Sequence, residues 1–257
     1  MRLKDKVVIV TGAAAGIGEE YCYGIAREGA CVVVTDILPQ NEIDEVVAKI
    51  HEEGGKAIGF RVDVSEEQNT EKMVERTLKN WGRIDGLINN AVWQPAKPFY
   101  EYSVEEFDRM MAVNVRGVWL CIKAVYPTMK HQGKGKIINI GSQTFFSGWW
   151  NLAPYVASKG AIIGMTRALA RDISPEGIRI NCLCPGLTVT EGSLREVEAS
   201  INPGHVNKWL DDHVDGQCIK HPGYPQDLIG SVIYLLSDDS DFMTGQTMVV
   251  DGGWVMH

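Results

Sequence analysis

Val7-Val8-Ile9-Val10-Thr11-Gly12-Ala13-Ala14-Ala15-Gly16-Ile17-Gly18 is the stretch of sequence that decides the fold. The four β-branched residues before Thr11 are typical of a strand that is buried on both faces. Three glycines follow, and they let the backbone come close to a ligand beside the free N–H groups of a helix's first turn. The stretch therefore predicts a strand, a glycine-rich turn and a helix that together bind a phosphate group.

Strand and helix patterns go on alternating to the end of the chain. This alternation indicates parallel strands joined by right-handed crossovers. We therefore expect residues 1–257 to form a single α/β domain with a Rossmann fold, a doubly wound parallel sheet with helices on both faces. One long helix is predicted to begin after Ser103 and to pass through Asn114 to about Met129. Residues 191–222 are the least regular part of the chain, and we expect them to form a lid over the substrate.

Composition and charge exclude several classes of function. The 257 residues are 45% hydrophobic and carry a net charge of −8, which argues against nucleic-acid and anionic-membrane partners. No apolar run is long enough for a membrane span, and the first one is too short for a signal peptide, so a cytoplasmic location is expected. The six cysteines lack metal-site spacing, which predicts reduced thiols and no metal. The expected partners are small molecules and further copies of the chain.

Polar residues follow several of the predicted strands. Ligands of open α/β sheets bind beyond the carboxyl ends of the strands, so these residues are expected to line one crevice; they are Asp36, Asp63, Asn89, Ser142 and Pro185-Gly186. Tyr155 and Lys159 are four residues apart on a predicted helix and therefore share a face. An ammonium about 4 Å from a phenol is worth roughly 4 kcal/mol, enough to lower the tyrosine pKa toward neutrality. Ser142 is expected to hydrogen-bond the substrate oxygen, although a turn or helix-cap serine fits the same pattern.

These residues together resemble the motif set of the short-chain dehydrogenases/reductases. The matching motifs cover nearly the whole chain; they are Thr11 to Gly18 with its Gly-x-x-x-Gly-x-Gly spacing, Asn89-Asn90-Ala91, Asn114, Ser142, Tyr155-x-x-x-Lys159 and Pro185-Gly186 with Thr190. The sequence departs from the family at Val92, where a glycine is usual. The resemblance implies a homotetramer, to which the apolar C-terminal residues 254–257 are expected to contribute a subunit contact or to cover a neighbouring pocket.

The resemblance also implies a role for each matching residue. Tyr155 is the acid/base, Lys159 lowers its pKa and holds the nicotinamide ribose, and Ser142 orients the substrate. Asn114 holds a water that links the lysine to solvent. The remaining roles concern the dinucleotide: Gly12, Ile17 and Gly18 lie beneath the pyrophosphate, Asp63 and Val64 flank the adenine, Asn90 approaches the adenine ribose, and Pro185, Gly186, Thr188 and Thr190 lie at the nicotinamide end.

Charge favours NAD over NADP as the cofactor. The carboxylate of Asp36 accepts hydrogen bonds from a ribose diol and repels a 2′-phosphate, and no arginine or lysine stands in the glycine turn or beside it in the sequence. The expected reaction is hydride transfer between NAD and a neutral alicyclic or aromatic secondary alcohol.

Aromatic residues fall in the loops that flank the reactive centre. The residues expected to bind substrate are Trp93, Ser142, Thr144, Trp150, Leu152, Tyr155 and Trp209; the aromatic ones among them serve equally well as core or subunit contacts. Three histidines in residues 191–222 are expected to be solvent-exposed: His205, His213 and His221. The alternatives to a dehydrogenase are a non-catalytic NAD-binding sensor or scaffold, and an NAD-dependent epimerase or dehydratase.

Overall fold

A parallel sheet of seven strands forms the centre of the computed structural model, which describes residues 1–198 and 204–256. The strands are β1 (Val7–Thr11), β2 (Cys31–Asp36), β3 (Lys56–Arg61), β4 (Gly86–Asn89), β5 (Gly135–Ile140), β6 (Ile178–Pro185) and β7 (Thr247–Val250). Their spatial order is β3-β2-β1-β4-β5-β6-β7, and every pairing is parallel. The direction of winding reverses between β1 and β4, which opens a crevice at their carboxyl ends. The predicted doubly wound Rossmann sheet is confirmed.

Helices cover both faces of this sheet. They are α1 (Gly16–Arg27), α2 (Gln40–Glu52), α3 (Glu67–Trp81), α4 (Val104–Met111), α5 (Gly117–Gln132), α6 (Thr144–Ser147), α7 (Ala153–Ile173), α8 (Glu191–Glu196), α9 (Val206–Gly216) and α10 (Pro225–Leu236). Among the described residues, none of these helices combines the length and the apolarity that crossing a membrane requires.

The hydrophobic core consists of two layers, one on each face of the sheet. Side chains of β1 alternate between them, so that Val8 and Val10 pack in one layer and Val7 and Ile9 in the other. The first layer includes apolar residues of α1, α2 and α10, and the second includes those of α3, α5 and α7. Because each strand is covered on both faces, the sheet is a rigid base for the loops at its carboxyl edge.

Two segments differ from their sequence-based descriptions. The long helix predicted from Ser103 to Met129 is interrupted by a π-helical turn, Ala112–Arg116, that separates α4 from α5. Such turns shift the register of the side chains that follow and often occur at functional sites. Residues 191–222 include α8 and α9, so this segment is more regular than its composition indicates; residues 199–203 within it lie outside the described residues.

Candidate active site

The glycine turn after β1 has the geometry of a phosphate cradle. Gly12 and Gly16 both have φ of +63°, in the left-handed region that favours glycine. A Cβ at Gly18 would lie 2.1 Å from the carbonyl oxygen of Gly12, so only glycine lets the helix approach the turn this closely. The side-chain amide of Asn90 donates to that same carbonyl oxygen at 2.7 Å and to the carbonyl oxygen of Thr11 at 3.2 Å. Asn90 thus fixes the turn to the end of β4, a bracing contact that the sequence does not reveal.

Asp36 ends β2 beside this turn, and its carboxylate is held in place by two backbone amides. One carboxylate oxygen accepts from the amide of Ala14 and the other from the amide of Leu38, each at 3.0 Å. Each oxygen keeps a further lone pair, which suits a ribose diol. Arg61, on the adjacent strand β3, is the register partner of Asp36 and carries a basic side chain. Its Nε donates to the carbonyl oxygen of Ile37 at 2.8 Å, and the residue lies outside the cavity lining.

One cavity of about 550 Å³ runs from Asp36 across the carboxyl edge of the sheet. Seventeen of the twenty predicted site residues line it: Gly12, Ile17, Asp36, Asp63, Val64, Asn90, Trp93, Ser142, Thr144, Leu152, Tyr155, Lys159, Pro185, Gly186, Thr188, Thr190 and Trp209. Gly18, Asn114 and Trp150 are not in the lining. The size and length of the cavity and its glycine-walled end fit a dinucleotide with a small substrate beside it.

Loops after β3 and β6 complete the cavity walls, the first beside Asp36 and the second on the opposite side. Asp63 accepts from both the backbone amide and the hydroxyl of Ser65, at 2.9 and 2.6 Å, and Val64 follows it in the wall. Across the cavity, Thr190 caps α8 through a reciprocal pair of hydrogen bonds with Ser193. The Thr190 hydroxyl therefore has a structural partner in this structure, as well as its place in the cavity lining.

Ser142, Tyr155 and Lys159 meet in the middle of the cavity. Ser142 follows β5, and its Oγ accepts from the hydroxyl of Thr144 at 2.9 Å, which fixes its position. Tyr155 and Lys159 lie one turn apart on α7, with the lysine Nζ 5.5 Å from the centre of the phenol ring. The lysine Nζ also donates to the carbonyl oxygen of Ile140 at 2.8 Å, where β5 ends. All three side chains are at most 8% exposed.

Burial dominates the ionisation of this tyrosine and lysine. It raises the pKa of Tyr155 to about 12, with a hydrogen bond from Ser142 acting in the opposite direction. Burial also lowers the pKa of Lys159 to about 8. The sequence-based expectation that Lys159 brings the phenol pKa down toward neutrality is therefore not met in this structure. At neutral pH the phenol is therefore protonated, and the lysine, with a pKa of about 8, is still mostly an ammonium.

Asn114 lies behind Tyr155 rather than in the cavity lining. Its side chain, in the π-helical turn, accepts from the backbone amide of Trp93 at 2.8 Å and donates to the Trp93 carbonyl oxygen at 3.0 Å. It also donates to Ser158 Oγ at 3.2 Å, and that hydroxyl donates to the carbonyl oxygen of Tyr155 at 2.7 Å. The π-helical turn thus presents an amide that connects the Trp93 loop to the backbone beneath Tyr155.

The far end of the cavity is mostly aromatic. Leu152 and Tyr155 pack in a small apolar cluster with Trp93 and Trp149, and Trp209 continues the wall. Trp150, which we expected to bind substrate, is 79% exposed and lies outside the lining. The adjacent Trp149 lines the cavity instead, because only one of the two neighbouring side chains in this turn points toward the cavity.

Two further residues of this end were not identified from the sequence. His213 was expected to be solvent-exposed, but it is 4% exposed and lines the cavity, because α9 folds over the aromatic end. Arg109 also lines the cavity, with its guanidinium 4.6 Å from the centre of the Trp93 indole. The sequence signal that could have placed Arg109 at the cavity is the helical periodicity of α4. Val92, the departure from the family pattern, is 46% exposed in the cavity wall.

These groups are arranged for proton transfer to or from an oxygen in the cavity. Tyr155 supplies an ionisable hydroxyl, Ser142 a second hydrogen-bonding hydroxyl, and the glycine turn with Asp36 a binding site for a nucleotide. In residues 1–198 and 204–256, no three histidine, cysteine, aspartate or glutamate side chains are placed together to hold a metal ion.

Similarity to known proteins agrees with this geometry. Residues 12–255 match a family model described as Enoyl-(Acyl carrier protein) reductase. A cyclopentanol dehydrogenase of Comamonas testosteroni is 37% identical over 253 residues, 98% of each protein. A solved structure of levodione reductase superposes with a TM-score of 0.92 at 29% identity, over 98% of both chains. A structure of NAD+-bound xylitol dehydrogenase gives a TM-score of 0.92 at 31% identity, over 98% of this chain and 100% of the other.

Proposed function

The chain belongs to the short-chain dehydrogenase/reductase family, and from that premise we propose that it is an NAD-dependent dehydrogenase that interconverts a secondary alcohol and its ketone. The observation that carries the proposal is the meeting of Ser142, Tyr155 and Lys159 in the cavity that also contains the glycine turn. A sensor or scaffold that only binds the dinucleotide has no use for a buried tyrosine and lysine beside an open cavity, since burying both groups is unfavourable.

The chemistry divides between the cofactor and the protein. When bound, NAD accepts or returns the hydride of the alcohol carbon. In the oxidation direction, it is the phenolate form of Tyr155 that accepts the hydroxyl proton of the alcohol and becomes the phenol, and Ser142 holds the oxygen through a hydrogen bond. In the reduction direction, the protonated phenol returns that proton to the ketone oxygen. A tyrosine pKa of about 12 keeps the phenol protonated at neutral pH, which makes it ready to act as the acid.

Lys159 and Asn114 support this step in different ways. An ammonium at Lys159 favours the phenolate form of Tyr155, because the two groups lie close together in a water-poor site. We also propose that Lys159 binds the hydroxyls of the nicotinamide ribose, a role supported by its position in the cavity lining. Asn114 acts as a positioning residue, since its hydrogen bonds hold the Trp93 loop and the base of α7 together.

The preference for NAD over NADP rests on Asp36. Its carboxylate is fixed by two backbone amides and lines the cavity, so a 2′-phosphate would face an immobile negative charge. The guanidinium of Arg61 would weaken this preference if it turned toward the cofactor, because it could pair with a 2′-phosphate. Its Nε instead donates to the carbonyl oxygen of Ile37.

The substrate is proposed to be uncharged and alicyclic or aromatic. Trp93, Trp149, Leu152 and Trp209 provide flat apolar walls, which suit a ring. Residues 191–222 are proposed to act as a lid, a proposal supported by Ser193 of α8 and His213 of α9, which both line the cavity. The relative from Comamonas is named for a cyclic alcohol, which is consistent with this substrate class.

We further propose a homotetramer in the cytoplasm. Large apolar side chains on α4 and α5 are exposed in the single chain, among them Phe107 at 43% and Trp119 at 44%. Exposed apolar faces of this kind commonly form subunit contacts. Trp254 packs within its own chain rather than projecting from it, so of the C-terminal residues it is Met256, at 77% exposure, that is available for a contact; His257 lies outside the described residues. Five buried free thiols are typical of a reducing compartment.

The test is reduced-nicotinamide absorbance with NAD, and separately with NADP, against neutral secondary alcohols of increasing ring size. Tyr155→Phe is expected to lose about 100- to 10,000-fold in kcat while calorimetry still detects NAD binding. Tyr100→Phe removes the hydroxyl of a tyrosine that is 74% exposed and outside the cavity lining, and it serves as the matched control. Full activity of Tyr155→Phe would refute the acid/base assignment, and NAD binding without any turnover by the wild type would favour the sensor alternative. Return of an epimerised or dehydrated product without net NADH would favour the epimerase or dehydratase.

A further inference from the structure

The His213 imidazole is a buried polar group without a partner in the wall of the substrate cavity. It lies on α9 and is 4% exposed. Neither ring nitrogen has a hydrogen-bond partner within the part of the chain that the structure describes. Buried polar side chains nearly always have such partners, so an unpaired one in a cavity wall indicates a ligand that supplies it.

The C-terminal turn fixes the plane of this imidazole. Trp254 stacks on His213 with ring centres 4.3 Å apart and planes 4° apart. The stack needs the space at Gly216, where a Cβ would lie 1.8 Å from the indole. The Asp251 carboxylate accepts from the backbone amides of Gly253 and Val255, at 2.9 and 2.8 Å, and so holds the turn that carries Trp254.

The surroundings of His213 keep it neutral. Burial lowers its pKa to about 4, and the carboxylate of Asp251 offsets this only in part. Trp149 and Trp209 also pack near the imidazole, with ring centres 5.7 and 5.9 Å from its own, and neither side chain is charged. A neutral imidazole has one N–H donor and one acceptor, which match a hydroxyl or a carbonyl group. A carboxylate gains much less, since it needs a cation or several donors.

We propose that His213 is a specificity residue that hydrogen-bonds a second uncharged oxygen of the substrate, so that the substrate class is diols, hydroxyketones or diketones. This inference rests on the proposed function, because the first oxygen is the one held by Ser142 and Tyr155. A substrate with a single oxygen contacts the apolar walls of the cavity but offers the imidazole no hydrogen-bond partner. The second oxygen restores the missing hydrogen bond, and an unmade bond of this kind lowers kcat/KM by roughly tenfold to a hundredfold.

The experiment compares cyclohexanol with cyclohexane-1,2-diol, -1,3-diol and -1,4-diol as substrates with NAD. A diol has two hydroxyls that can react, so its kcat/KM is first divided by two. After this correction, we expect the best diol to exceed cyclohexanol in kcat/KM by about tenfold to a hundredfold. His213→Phe keeps a flat ring to stack on Trp254, and it is expected to bring this ratio below about threefold. His213→Gln keeps a donor and an acceptor, and it is expected to retain part of the preference. The control is His221→Phe, an exposed histidine outside the cavity, which is expected to keep the wild-type ratio.

The outcomes separate this inference from the proposed function. A wild-type ratio near one, or a ratio that His213→Phe leaves unchanged, overturns the role of His213 while the dehydrogenase assignment stands. No turnover of any alcohol, with NAD binding seen by calorimetry, overturns the proposed function and this inference with it. The wild-type ratio of kcat/KM for the diol over cyclohexanol tests the inference even if a variant fails to fold. NAD binding by each variant shows whether that variant has folded.

Discussion

Replacing Lys159 by methionine is expected to stabilise the protein at neutral pH while impairing its activity. The change keeps the length of the side chain and removes its charge from a site where the lysine is 5% exposed. In the fold the pKa of this lysine is about 8, against an ordinary value of 10.5. A pKa difference of one corresponds to about 1.4 kcal/mol, so holding the ammonium in the fold costs about 3 kcal/mol at pH 7.

The net gain is smaller because methionine loses one contact. The lysine Nζ donates to the carbonyl oxygen of Ile140 at 2.8 Å, and losing that bond costs about 1 kcal/mol. About 2 kcal/mol of stabilisation remains, which corresponds to a rise of about 4–8 °C in Tm for a chain of this size. The gain depends on pH in a defined direction. The unfolded chain keeps the lysine proton up to about pH 10.5, whereas the folded chain releases it near 8, so wild-type stability from this group rises with pH between those values.

The assay is urea and thermal unfolding followed by circular dichroism at pH 7 and pH 10. Lys159→Met is expected to be more stable than wild type at pH 7 and about equal to it at pH 10, where the wild-type lysine is already neutral in the fold. Lys79→Met, a change at an exposed lysine on α3, is expected to stay within about 0.5 kcal/mol of wild type at both values. A Lys159→Met protein that is less stable at pH 7, or whose difference from wild type does not change with pH, would refute this reasoning.

Two further substitutions test the nucleotide end of the cavity. Asp36→Ala is expected to move the ratio of kcat/KM for NADP over NAD upward by at least tenfold, about 1.4 kcal/mol, and adding Arg61→Gln is expected to reverse part of that gain; an unchanged ratio would place cofactor selection elsewhere. Gly18→Ala puts a Cβ 2.1 Å from the Gly12 carbonyl oxygen and is expected to weaken NAD binding in calorimetry by more than tenfold. Gly230→Ala on α10, where an added Cβ meets nothing within 4 Å, is the control, and an equal effect of both changes would argue against a specific role of the turn.

The sheet and most of the cavity follow from short-range patterns in the sequence. Most strands are brief apolar runs, and the polar residues that follow several of them mark the carboxyl edge of the sheet. Because parallel strands bring those ends together, Asp36, Asp63, Asn89, Ser142 and Pro185-Gly186 were predicted to share one crevice, and all but Asn89 line the cavity. Asn89 is instead buried, and its side-chain amide donates to Asn139 Oδ1 of the neighbouring strand. Tyr155 and Lys159 needed only the period of a helix.

The substrate end was predicted less well because tertiary contacts decide it. His213 has the flanking residues of an exposed histidine, but tertiary packing against Trp149 and against Trp254, forty-one residues later, buries it. The choice between Trp149 and Trp150 depends on one short turn, whose direction the sequence does not fix. The ionisation of Tyr155 differs from the expectation for a similar reason, since the extent of burial outweighs a single nearby charge.

Burial works against the chemistry of three side chains that line the same cavity. It disfavours the phenolate of Tyr155 and the ammonium of Lys159, and it leaves the His213 imidazole without a hydrogen-bond partner among the described residues. None of these states stabilises the fold, and two extensive apolar layers on either side of the sheet supply the stability that tolerates them. A ligand that brings a positive charge near the phenol and an oxygen to the imidazole relieves the strain at both ends. The energetic cost of burying these groups is therefore converted into selectivity for the ligands that complete the cavity.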